Sequence, residues 1–256
     1  MADDIPGTGP AGVPETTPAV IPGTDPAVIP VTEPAGLAGE LRTPRAAAIA
    51  GILFALMLGT VIVMMSSAIP RDPAHGGVWI TSSSSRSSVA FAMNLIPFAG
   101  IAFLWFIGVI RNRLGDREDK FFATVFLGSG LLFVGILFTA AAVIGSALFI
   151  YSESPTFSRD TLRLALVLGS TLLVTFGARM AAVFTLSVTT IGLRTQLVPR
   201  WLSVIGVFCA VALVVTPPAP KLTQLVFPLW VLILSLHILV VSMRSPAPAD
   251  APGEAR

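Results

Sequence analysis

Two long apolar runs, residues 89–110 and 121–151, lie on either side of a charged decapeptide, residues 111–120. The decapeptide, RNRLGDREDK, contains four basic and three acidic side chains. Each run is long enough to cross a bilayer, which takes about 20 predominantly apolar residues, and the charges between the runs cannot enter hydrocarbon. The pattern therefore predicts a transmembrane helical hairpin.

Composition extends this interpretation to most of the chain. Of 256 residues, 54% are hydrophobic and 12% are charged, whereas an ordinary soluble domain has about 25% charged residues. We expect an all-α, polytopic transmembrane helical bundle over residues 42–244, with the lipid bilayer as its main partner. The six predicted spans are residues 46–69, 89–110, 121–151, 164–193, 199–216 and 222–243.

The first 41 residues form a low-complexity arm in which proline recurs every fourth residue, from Pro6 to Pro34. Proline at this density prevents helix formation, because each proline removes an amide donor and clashes with the preceding turn. We expect residues 1–41 to be an extended, disordered cytoplasmic arm, either a solvated tail or a ligand for a proline-reading protein. The Pro/Ala-rich tail, residues 245–256, is also predicted to be disordered.

The distribution of basic residues predicts the orientation. With six spans, ten basic residues lie on the side of the two termini and five on the other side. The positive-inside rule then places both termini in the cytoplasm, with the bundle in the plasma (inner) membrane. Because the basic residues are spread over the loops, the sequence also argues against a nucleic-acid partner.

The sequence contains no recognisable catalytic motif. The single cysteine, Cys209, cannot form an intrachain disulfide, and His75 and His237 have no companions that would complete a metal site. We therefore expect no catalytic residue, no metal and no cofactor, and we interpret His237 as a hydrogen-bonded core histidine. The preferred function is that of a non-catalytic membrane protein acting through helix or partner contacts, including contacts within a homo-oligomer.

Arg179 is the most unusual residue of the predicted spans. It lies between the uncharged stretches 164–178 and 180–193, and a charge at the bilayer centre costs roughly 2.5–3.5 kcal/mol on insertion scales. No carboxylate occurs in any predicted span. Arg179 is then either part of an inward-facing anion or head-group site, or a structural arginine that snorkels or caps broken backbone. The small-residue pair Gly177/Ala181 favours a face packed against protein.

Two prolines, Pro97 and Pro228, lie at similar depth in spans two and six. Each removes a backbone donor, and Asn94 and Gln224 lie beside the resulting breaks. These residues either line an outer polar cavity or belong to tolerated kinks. Our candidate intramembrane polar site comprises Arg179, Asn94, Pro97, Gln224, Pro228 and His237. The alternative function is a transporter or permease for a small anionic or amphipathic solute, with Arg179 in the pathway.

Four large side chains of span three, Phe122, Phe126, Phe133 and Leu137, fall within about 60° of one another on a helix. We interpret this stripe as a lipid-facing or helix-packing face.

The stretch LWFIGVIRNRLGDREDKFFATVFLGSGLLF, residues 104–133, resembles a segment of uncharacterised six-helix bacterial integral membrane proteins. The later LVPRWLSVIGVF, residues 197–208, is similar to a helix-start pattern in such families. The resemblance covers the membrane part and implies a six-helix membrane fold. It implies no activity, because these families have no established one.

Overall fold

The computed structural model describes residues 44–69, 81–114, 120–153, 158–195, 199–215 and 221–244, which all belong to one unit of the chain, Gly36–Arg256. Within these ranges the regular elements are all helical. They are α1 (Pro44–Ala68), α2 (Ser83–Leu114), α3 (Lys120–Glu153), α4 (Arg159–Thr171), a π-helical turn (Leu172–Gly177), α5 (Ala178–Thr195), α6 (Arg200–Val215), a 3-10 turn (Lys221–Leu225) and α7 (Val226–Arg244). The predictions for residues 1–41 and 245–256 lie outside the described residues.

Five helical stretches are long and apolar enough to cross a membrane. They are Arg45–Ala68, Ser83–Arg111, Phe121–Glu153, Asp160–Arg194 and Thr223–Arg244. These correspond to five of the six predicted spans and confirm the all-α class for the described residues. The remaining apolar helix, α6, has only 16 residues, about 24 Å of rise against about 30 Å of hydrocarbon. The length of α6 alone therefore does not show that this helix crosses a membrane.

Two helices begin earlier than the sequence predicted. The predicted span begins at residue 89, but α2 begins at Ser83 and the Ser82 hydroxyl accepts from the Ser85 amide at 3.4 Å. Likewise, α4 begins at Arg159, where the Ser158 hydroxyl accepts from the Asp160 amide at 3.3 Å. Both serines cap helix N-termini, which offsets the low apolar content of the first turns.

The predicted span 164–193 is interrupted by a π-helical turn that the sequence did not indicate. The amide of Ala178 donates to the carbonyl of Leu173, five residues earlier. This wider turn adds one residue per turn and therefore changes the direction in which all following side chains point. We refer to α4, the π turn and α5 together as the α4–α5 rod.

Contacts between helix termini at the two ends of the bundle show in which direction each helix runs. At the far end, where α1 finishes, a small apolar cluster joins Ala68 of α1, Val89 of α2, Ala147 of α3 and Leu162 of α4. At the near end, where α1 begins, the finish of α5 meets the start of α3, since the Arg194 guanidinium lies 4.7 Å from the ring centre of Phe122.

Helix α6 connects the near end to the far end. At its start, the Trp201 ring lies 6.3 Å from the ring of His237, which belongs to the second half of α7. At its finish, Leu213 shares a cavity with Gln224, which precedes α7, and with Ile69, which follows α1. Helix α6 therefore runs antiparallel to both α5 and α7.

The centre of the bundle is a cluster of phenylalanine rings from five helices. Phe54 of α1 and Phe103 of α2 have ring centres 4.4 Å apart, and Phe227 of α7 lies 5.0 Å from Phe133 of α3. The buried rings are Phe54, Phe103, Phe106, Phe126, Phe133, Phe184 and Phe227. Offset and edge-on aromatic pairs of this kind add about 0.5–1.5 kcal/mol each beyond burial. The cluster confirms that the stripe on α3 is a packing face at Phe126, Phe133 and Leu137, which are all buried.

Glycine allows α6 to approach its neighbours closely. A Cβ on Gly206 would overlap the Thr189 hydroxyl of α5 and lie 3.0 Å from Nε1 of Trp230 on α7. Small residues at such crossings are typical of membrane helix pairs. The side-chain polar atoms of Thr189, Ser203 and Trp230 are buried and have no hydrogen-bond partner in the described part of the chain. The α5–α6–α7 contact therefore depends on shape and not on hydrogen bonds.

Candidate ligand cavity

A cavity of about 500 Å³ opens between α1 and the α4–α5 rod, at the far end of the bundle. Every helix of the bundle contributes to its wall, including Met65 of α1, Met93 of α2 and Leu137 of α3. Its size falls within the roughly 300–1,000 Å³ of small-molecule sites. Its walls are almost entirely apolar, so the space suits an apolar chain or ring system and not a small polar solute.

The cavity is elongated and ends on the aromatic cluster. Along the α4–α5 rod its lining extends from Arg163 to Ala181, about 27 Å of helix rise. Phe133 and Phe227, two rings of the central cluster, form part of its wall at depth. A ligand that enters at the far end would therefore reach the middle of the bundle.

Polar groups line the cavity at four positions. Ser66 and Ser170 donate their hydroxyl hydrogens to the carbonyls of Val63 and Val167 on their own helices, at 2.8 and 2.9 Å. Arg163 and Gln224 make no ion pair or hydrogen bond with any described residue. These two side chains are therefore the donors that the wall offers to a ligand.

The π turn forms part of the cavity wall. Leu173 and Val174, both within the turn, line the cavity, as does Ala178 directly after it. A π-helical turn redirects the side chains that follow it. The π turn therefore brings Ala178 and Ala181 to the cavity, and their small side chains keep its deep part open.

Arg179 lies outside the cavity. Its side chain is exposed on the outer surface of the bundle, and Nη1 donates to the carbonyl oxygen of Thr175 at 2.5 Å. Thr175 belongs to the π turn, so the guanidinium satisfies a carbonyl where the regular helix is broken. The contact corresponds to the backbone-capping interpretation of Arg179. The inward-facing side chains of this part of the helix are those of Ala181 and Ala182, which are buried, and not that of Arg179.

Asn94 and Pro97 are also exposed and do not line the cavity. Helix α2 continues through Pro97, and the Asn94 amide donates to the carbonyl of Ala90 at 2.9 Å. The Asn94 side chain therefore bonds within its own helix. The wall of the cavity is formed instead by Met93 and Ile96, on the adjacent face of α2.

Gln224 and Pro228 differ in their surroundings. Gln224 lies in the 3-10 turn and lines the cavity. Pro228 is buried and is the third residue of α7, directly after the 3-10 turn.

His237 lies near the other end of the bundle from the cavity, half-buried, with its ring edge-on to Trp201. The structure thus brings only Gln224 of the six candidate residues to the cavity. The sequence analysis did not select Arg163 as a site residue and included it only in the count of basic residues outside the spans. Its position directly before the predicted span 164–193, on the same side of the membrane as Gln224, could have indicated that it lies near the cavity.

Comparisons with protein-family models, with curated proteins and with solved structures found no match to this chain. The resemblance to uncharacterised six-helix membrane proteins therefore stays a prediction.

Proposed function

We propose that this chain is a six-span, non-catalytic protein of the plasma membrane that binds an amphipathic molecule inside its bundle. The observation that carries the proposal is the apolar cavity at the far end, which extends to Phe133 and Phe227. Among the described residues of its lining, Arg163 alone is ionisable. General acid–base chemistry needs positioned titratable groups near the substrate, and this wall supports binding instead.

The course of α6 supports six crossings. This helix carries exposed apolar side chains along its outer face, such as Phe208, Val211 and Val215, and it connects opposite ends of a bundle whose other long helices reach both ends. A span of about 24 Å is accommodated by thinning of the bilayer, at a fraction of a kcal/mol per Å of mismatch.

The described charges support cytoplasmic termini. The near end carries seven basic residues and, within the described ranges, no acidic residue: Arg45, Arg111, Arg113, Lys120, Arg194, Arg200 and Arg244. The far end carries four basic residues, Arg86, Arg159, Arg163 and Lys221, together with Glu153 and Asp160. An excess of arginine favours the cytoplasmic side, so the cavity would open towards the outer leaflet.

A carrier that moves the same amphipathic molecule is the second candidate function, because the cavity extends deep along the α4–α5 rod. Such a carrier would not use Arg179 as a ligand, since Arg179 lies on the outer surface. A protein partner for the proline-rich arm and a homo-oligomer both stay predictions.

Neighbouring alanines of α3 provide the test. Ala141 lines the cavity, whereas Ala142 is exposed on the other side of the same turn. The probe is a 16-carbon alcohol with a photoreactive group on its tail, applied to the purified protein in mild detergent. We expect saturable labelling of the cavity wall. Ala141→Phe should lower it at least fivefold, because the added ring occupies the space that the tail would fill.

Ala142→Phe adds the same ring to the outer surface and should leave the labelling unchanged. Circular dichroism of both variants checks that the helices persist. Equal labelling of the two folded variants, or labelling that does not saturate, would contradict ligand binding in the cavity.

A further inference from the structure

Arg163 gives the mouth of the cavity a chemical preference. It is the only charged residue among the described residues that line the cavity. The deeper wall, including Leu137, Ala181 and Phe227, is apolar. A ligand that matches this distribution has a charged head and an apolar tail.

The charge of Arg163 is available to a ligand. The described carboxylates at this end are Glu153 and Asp160, and Asp160 lies one turn before Arg163 on α4. Even so, Arg163 forms no ion pair with a described residue. Its side chain is exposed, three residues into the membrane-length helical stretch Asp160–Arg194.

Gln224 supplies a second donor from another part of the bundle. It precedes α7 and lines the same end of the cavity as Arg163. A guanidinium is a planar group that donates two parallel hydrogen bonds to a carboxylate or a phosphate. An amide NH₂ in the wall of the same cavity can donate to an oxygen of such a group.

We propose, on the basis of the proposed function, that the cavity selects amphipathic molecules with an anionic head group, which Arg163 and Gln224 hold at its mouth. The head group is a carboxylate or a phosphate monoester, and the tail lies against Phe133 and Phe227. The arginine-rich near end plays no part in this preference, because it lies at the opposite end of the bundle.

The test compares ligands that differ only in the head group. Binding of a 16-carbon carboxylate, the matching phosphate monoester, the matching alcohol and the matching amine is measured by competition with the photoreactive alcohol. We expect both anions to compete at concentrations at least fivefold lower than the alcohol, and the amine to compete less well than the alcohol. The preference should shrink in high salt, since an exposed ion pair is screened.

Arg163→Gln should bring the anions to the level of the alcohol. Arg163→Lys should keep part of the preference. Arg86→Gln is the matched control, because it removes a positive charge from the same end of the bundle but outside the cavity lining. This variant should keep the full preference for the anions. A two-chain anionic phospholipid is tested in the same competition assay as the single-chain acid. The stronger competitor shows whether the cavity fits a membrane lipid or a free acid better.

The outcomes separate the two proposals. If the alcohol does not bind, the proposed function fails. If the alcohol binds but the anions have no advantage, or if Arg163→Gln leaves their advantage intact, only the head-group proposal is overturned.

Discussion

The packing of α6 leads to a prediction with a measurable size. A Cβ on Gly206 would overlap the Thr189 hydroxyl and lie 3.0 Å from Nε1 and 3.3 Å from Cε2 of Trp230. Thr189 is β-branched and stiff at χ1, and Trp230 is fully buried. Neither side chain can yield easily, so Gly206→Ala should force the helices apart.

The magnitude follows from two opposing effects. Alanine is more favourable than glycine in a helix interior by about 0.8–1.0 kcal/mol, whereas inserting an extra carbon into a packed site costs about 1–3 kcal/mol. Gly108 lies in α2 with open space around it, so Gly108→Ala shows the propensity effect alone. We expect Gly206→Ala to have a free energy of unfolding about 1–3 kcal/mol below that of Gly108→Ala.

A double variant tests the cause. Thr189→Ala removes the hydroxyl that the new Cβ meets, and that hydroxyl has no hydrogen-bond partner in the described structure. Gly206→Ala should therefore cost less in a Thr189→Ala background, with a coupling of about 0.5–3 kcal/mol, the range for residues in contact.

Stability is measured by unfolding in mixed micelles with increasing denaturing detergent, with tryptophan fluorescence as the signal. The five proteins are the unchanged chain, the three single variants and the double variant. Equal stability of the Gly206→Ala and Gly108→Ala variants would refute the reasoning. Helix α6 would then not pack between α5 and α7 through this glycine.

Two further predictions concern Arg179 and the orientation of the chain. Arg179→Leu loses a charged hydrogen bond to Thr175, worth about 1.5–3 kcal/mol, but removes a charge that costs roughly 2.5–3.5 kcal/mol at mid-membrane. We expect the free energy of unfolding in lipid bilayers to change by less than about 1.5 kcal/mol and alcohol binding to persist, whereas a loss above 3 kcal/mol would indicate a buried partner. For the orientation, single cysteines at Arg111 and Glu153, in a Cys209→Ser background, are treated with an impermeant thiol reagent in intact cells. Glu153→Cys should react and Arg111→Cys should react only after permeabilisation; the reverse pattern would contradict cytoplasmic termini.

The sequence by itself determined the helical class and the positions of five membrane-length helices. Length and apolarity are properties of a local stretch, and lipid leaves an isolated backbone segment little choice but a helix. The period of the α3 stripe likewise placed Phe126 and Phe133 on one face of the helix, because of its 3.6 residues per turn. It left open whether that face meets lipid or other helices.

Only the tertiary structure decided which faces point inward and what they enclose. Arg179 was expected to face protein, but the π turn before it changes the direction of the following side chains, and a change of register inside a helix leaves no mark on composition. The cavity required seven helices to be placed together, with Ala178 and Ala181 too small to fill the space beside the aromatic cluster. The role of Arg163 depends on that space, since the same arginine without a cavity beside it would be one more charge at a helix end.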